Sequence, residues 1–130
     1  MTPEDAEKAI LSTEREALTR WSAGDPVGYV ESAAEDITYF DDIGAQLRVE
    51  GRDAVRAYLS TLEGQIPEHA FEIVNPRVQV YGDVGVVTLR YQSSIRGEPG
   101  PPWKATTVHR HLQGEWRMVH AHWSSVKELE

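Results

Sequence analysis

The sequence predicts an α+β domain, with helices first and then a meander of long strands for them to cover. Three observations carry this. Apolar residues recur at helical spacing in the N-terminal half. After about residue 67 the pattern changes to period two. Gly-Asp and Gln-Gly pairs then divide that half into hairpins, and helices followed by strand runs is the α+β plan. At 130 residues the chain is expected to form a single domain spanning 1–130, large enough for a real core.

The first helix is predicted over residues 4–22. Thr2 and Pro3 precede a first turn with Glu4 and Asp5, acids that suit a helix N-terminus. Ala6, Ile10, Ala17, Leu18 and Trp21 fit one apolar stripe. The segment SAGDP breaks it: Gly24 can end this helix, Asp25 can cap the next, and Pro26 suits its first position. A second short helix is predicted over about 26–34. Ile37, Thr38, Tyr39 and Phe40 read as a short strand, followed by a loop with Asp41, Asp42 and Gly44. A third helix, about 52–62, places Val55, Tyr58, Leu59 and Leu62 at helical spacing before Gly64.

HAFEIVNPRVQVYG reads as a long strand bent at Pro76. Gly82-Asp83 makes a tight turn, and VGVVTLRYQSSI returns antiparallel. After the loop RGEPGPP, WKATTVHRHL and EWRMVHAHWSSV form a second hairpin about Gln113-Gly114, and the tail KELE reads as frayed. The total is about six strands and three helices.

The turns assign faces. A two-residue turn at Gly82-Asp83 sets Tyr81 opposite Val84 and Val78 opposite Val87, so Val78, Val80, Val87, Leu89 and Tyr91 form a core face. For the last hairpin we expect a three-residue loop with Gly114 left-handed. Trp103, Ala105, Thr107, His109, Val119, Ala121 and Trp123 then face inward. Trp116, Met118, His120 and His122 face outward with Arg77, Gln79, Thr88 and Arg90. Trp116 and Met118 exposed there would form an apolar patch, which predicts a homodimer through the outer sheet face.

The net charge of −8 argues against nucleic acid, whose phosphates need a basic face, and against an anionic membrane surface. There is no cysteine, so disulfides and thiolate zinc sites are excluded. The N-terminal segment MTPEDAEKAI lacks an apolar signal core, and a cytoplasmic location is the default expectation. His120 and His122 share a strand face but have no evident third ligand, so we expect no metal and no cofactor.

Two signatures carry a family resemblance. One is Asn75-Pro76, Val78, Val80, Gly82 and Asp83; the other is Gly114, Glu115, Trp116, Val119, His120 and His122. With TRWSAGDPVGYV, ITYFD and VEGRDAVRAYL, the chain resembles the nuclear transport factor 2-like superfamily over nearly its whole length. The likeness is to SnoaL-like members, to the association domain of calcium/calmodulin-dependent protein kinase II and, more distantly, to ketosteroid isomerase. It implies a cystatin-like cone, with three helices on a strongly curved, mainly antiparallel sheet, a pocket inside and a dimer through the sheet. The arginines of the kinase domain's anion pocket fall on Tyr91, Thr107 and Trp123, none of them basic. The isomerase's base falls on Asp41, while its two oxyanion donors fall on Ala17 and on Thr106 or Thr107.

Asp41 is therefore the leading catalytic candidate, since a carboxylate at the mouth of an apolar pocket can take a proton from carbon; a loop acid is the plain alternative. Asp42 is expected to diverge to solvent. His109 is the second catalytic candidate, as a proton shuttle. Trp21, Tyr39, Tyr58, Tyr91, Thr107 and Trp123 are candidate ligand contacts, each with core packing as its alternative. Three functions stand open: a pocket for a neutral, largely apolar small molecule; a cofactor-independent isomerase, cyclase or dehydratase using Asp41; and a dimerisation or adaptor module with a vestigial pocket.

Overall fold

The computed structural model describes residues 2–44 and 47–127; the expected frayed end beyond Lys127 lies outside the described residues. Helix α1 spans Pro3–Ser22. It opens with a reciprocal cap: Thr2 Oγ1 accepts from the Asp5 N–H at 3.1 Å, and the Asp5 carboxylate accepts from the Thr2 N–H at 3.3 Å. A 3₁₀-helix covers Val27–Val30, and α2 covers Arg52–Ser60. The strands are β1 (Thr38–Phe40), β2 (Val49–Glu50), β3 (Ala70–Tyr81), β4 (Val84–Ile95), β5 (Glu98–Pro99), β6 (Trp103–Leu112) and β7 (Glu115–Ser125). They form one sheet in the order β2-β1-β7-β6-β4-β3, with β5 paired to β4. All pairings are antiparallel except β1 with β7, which is parallel. Among the described residues no helix is long and apolar enough to cross a membrane.

The plan is α+β as expected, with two corrections. Among the described residues there are two α-helices, not three. The segment after Pro26 closes only a 3₁₀ turn: the Asp25 carboxylate does cap it, accepting the Gly28 N–H at 3.1 Å, but the Ala34 N–H turns away to the Met118 carbonyl of β7 at 3.0 Å. The sheet is mixed and is not strongly curled. The pairing register shifts at two places among the described residues, at Val74/Arg77 in β3 and at Val108/His109 between β6 and β7. The first is the predicted bend, where Asn75 before Pro76 takes φ +49°.

Register explains which residues enter the core. Tyr81 pairs with Val84 and Val78 with Val87, as expected; Val87, Leu89 and Tyr91 are buried, while Val78 and Val80 are half-buried. The last hairpin differs. Its loop has two residues, Gln113 at φ +52° and Gly114 at φ +82°, so Leu112 pairs with Glu115 and His111 with Trp116. Trp116 and Met118 therefore point inward and are buried, at 7% and 2% exposure. The register shift near Val119 then restores the phase, so Ala121 and Trp123 are buried as expected. The predicted outward apolar patch of Trp116 and Met118 does not exist.

Helix α1 lies against β3, β4 and β7. Gly85 makes the approach possible, since a Cβ there would stand 2.4 Å from Ile10 Cδ1.

Candidate functional site

Between α1 and the inner sheet face lies a cavity of about 260 Å³. Leu18 and Trp21 enter it from α1, Tyr29 from the 3₁₀-helix, and Tyr39 from β1. Ile66, Pro67 and His69 come from the α2–β3 connection; Tyr91 and Ser93 from β4; Trp103 from β6; Trp123 from β7. Ile43, Ile95, Gly100 and Pro101 complete the lining, and none of the lining residues is Asp, Glu, Lys or Arg. The rings brace one another. Tyr29 meets Trp21, Tyr39 and Trp123 edge-on at 6.2, 6.4 and 6.2 Å, and Tyr91 stacks on Phe71 at 5.2 Å. Trp123 Nε1–H donates to the Tyr29 hydroxyl at 2.8 Å. The Tyr91 hydroxyl is paired with His69 Nε2, and His69 Nδ1 lies 2.7 Å from the Pro67 carbonyl. Burial pushes the Tyr91 phenol's pKa well above its ordinary value, and that of Tyr29 likewise, so both stay neutral.

Of the candidate ligand contacts, Trp21, Tyr39, Tyr91 and Trp123 line this cavity; Tyr58 and Thr107 do not. Asp41 follows Ile37 and Tyr39 to the inside by period two and is buried at 9% exposure, while Asp42 is exposed and accepts from the Ser125 N–H and hydroxyl at 2.9 and 3.0 Å. The Asp41 carboxylate sits behind Tyr39, not in the cavity lining. Its Oδ2 accepts from the Tyr39 hydroxyl at 2.7 Å; its Oδ1 accepts from the Tyr58 hydroxyl at 2.8 Å and from the Ile43 and Gly44 N–H groups at 3.0 and 3.5 Å. Burial first, and then the Asp41 charge, hold the Tyr39 phenol well above its ordinary pKa.

Thr107 and His109 belong to a different cluster, on the inner face near α1. Glu14, Thr107 and His109 are all fully buried. The Thr107 hydroxyl donates to Glu14 Oε1, and His109 Nε2 lies 3.1 Å from both that oxygen and Thr107 Oγ1. Glu14 Oε2, His109 Nδ1 and Trp116 Nε1 have no partner among the described residues. Glu14 and His69 were missed in the sequence. Both carried a signal: Glu14 falls in step with Ala6, Ile10 and Leu18, and His69 with Phe71 and Ile73. Among the described residues no three His, Cys, Asp or Glu side chains gather as a metal site.

Residues 10–128 match the family model for the SnoaL-like domain. No curated protein matches the chain. Among solved structures, a candidate ketosteroid isomerase from Parabacteroides distasonis is 31% identical, with TM-score 0.77 over 93% of this chain and 88% of that one. The calcium/calmodulin-dependent kinase II hub homology domain of Chlamydomonas reinhardtii is 27% identical, with TM-score 0.73 over 94% and 99% of the two chains. A nuclear transport factor 2-like protein of unknown function from Pseudomonas putida, 24% identical, shares the fold with TM-score 0.83 over 100% and 93%. Matched over nearly its whole length, the chain belongs to the SnoaL-like family, with the nuclear transport factor 2-like fold.

Proposed function

We propose that this SnoaL-like protein binds a neutral, largely apolar small molecule in the cavity beneath α1. The observation that carries this is the lining itself: aromatic rings on several elements, a few polar edges, and no acidic or basic side chain besides a histidine. Such a wall offers dispersion and apolar burial and gives a ligand charge no partner. The volume, about 260 Å³, is slightly below the ~300–1,000 Å³ of drug-sized sites, which favours one to three small rings. The test is a matched pair of fluorophores, neutral N-phenyl-1-naphthylamine and its anionic sulfonate relative. The neutral probe should bind at least about tenfold more tightly than the anion, a difference of ~1.4 kcal/mol. Ser93→Phe, which fills the cavity from β4, should abolish the signal without unfolding the chain. Binding that ignores both the charge and the filled cavity would refute the reading.

Catalysis by Asp41 is less well supported. The 31%-identical neighbour is described as a candidate ketosteroid isomerase, but here four donors already surround the carboxylate, leaving little of it for a substrate proton.

A homodimer through the outer sheet face is part of the same proposal, on a revised patch. Two cross-strand rows run over β4, β6, β7 and β1: Val86-Val108-His120-Thr38 and Thr88-Thr106-His122-Phe40. None of the eight is an acid, lysine or arginine, in a chain with 26% charged residues. Burial, then the neighbouring His122, holds the His120 imidazole below its ordinary pKa, which keeps that part of the face uncharged near neutral pH.

A further inference from the structure

Two hydrogen bonds on the cavity wall determine what it can accept. The Pro67 carbonyl can only accept, so His69 Nδ1, 2.7 Å away, carries the ring proton. In that tautomer Nε2 has no proton, and the Tyr91 hydroxyl donates to it. The phenol has one proton, now committed. What the Tyr91 oxygen still offers the cavity is a lone pair. The ring is held in place by Phe71 stacked on one side and by Trp123 edge-on at 5.8 Å, so the hydroxyl is fixed rather than free to swing.

We propose that the His69–Tyr91 pair is a selection site for ligands carrying a hydroxyl: a neutral phenol or alcohol on a ring framework, donating its O–H to Tyr91. This rests on the binding function proposed above and names the chemical class that cavity takes. An ether of the same shape would set lone pair against lone pair and leave the Tyr91 oxygen without a donor, which is how a buried polar group rejects a near-isostere.

The test uses 2-naphthol and 2-methoxynaphthalene, titrated calorimetrically at neutral pH. The wild-type protein should prefer 2-naphthol by about tenfold, one hydrogen bond's worth. In His69→Leu/Tyr91→Phe the preference should fall to within about twofold, with 2-methoxynaphthalene binding kept or improved. The other hydroxyl-bearing lining residues, Tyr29, Tyr39 and Ser93, stay in place in that variant and act as the internal control. Equal binding of both probes to the wild type would overturn this inference alone and leave the binding function standing. A preference unchanged in the double variant would overturn it too, by assigning selection to Tyr29, Tyr39 or Ser93. Failure of both probes to bind would overturn the pocket reading together with this one.

Discussion

At the end of β1 one carboxylate gathers two phenol donors and two backbone N–H groups, tying α2, through Tyr58, to the β1 strand and its following loop. Period two along Ile37, Tyr39 and Asp41 made its inward direction legible in the sequence; its partners were not, because Tyr58 approaches from a separate helix. Asp41→Asn should cost about 1–3 kcal/mol in urea unfolding, since an amide NH₂ replaces one acceptor oxygen among groups that need to donate. An Asn variant as stable as the wild type would show that these four bonds do not hold the loop. Glu14 was overlooked although its phase was legible. A charged residue in the phase of an apolar stripe reads as a break in the stripe, yet here it is buried and answered by Thr107 and His109. His109→Leu or Glu14→Leu should each cost about 3 kcal/mol, because the survivor is left buried with only Thr107 to answer it. The double variant should lose clearly less than the two losses added. Additive losses in denaturant titrations would mean the two side chains act separately.

Among the elements, the long strands and α1 followed directly from periodicity, and the first strand hairpin followed in register as well. The second did not, because its turn depends on a non-glycine residue taking positive φ. Gln113 at φ +52° completes a two-residue loop that composition alone disfavours. That one-residue difference turned Trp116 and Met118 inward, and the bulge near Val119 confined the change to the start of β7. Docking of α1 depends on a second local detail, the missing side chain at Gly85. Gly85→Ala places a Cβ 2.4 Å from Ile10 Cδ1 and should destabilise the fold by about 1–3 kcal/mol through overpacking. Ile10→Val removes that Cδ1, so Gly85→Ala should cost much less in the Ile10→Val background than alone. Equal costs in both backgrounds, measured by thermal or urea unfolding, would place the strain elsewhere.

At the scale of the molecule, the two sheet faces do different work. The inner face meets α1 and walls the cavity; the outer face presents two rows with no acidic or basic side chain apart from histidine, in a chain of net charge −8. Exposed Arg77, Arg90, Lys104 and Arg110 flank these rows on the same face, so the uncharged rows between them are where a second copy meets the least opposition. Val86 and Val108 are half-buried and paired across β4 and β6, next to His120, and would form the apolar centre of a two-fold contact. Light scattering at micromolar concentration should therefore report about twice the chain mass. Val108→Glu places a carboxylate at the centre of that contact and, by two-fold symmetry, close to its own copy, so the variant should run at the chain mass with its circular dichroism unchanged. A wild-type monomer would remove the outer face from the account. A Val108→Glu dimer would move the interface to another surface and leave the cavity and its proposed ligand untouched.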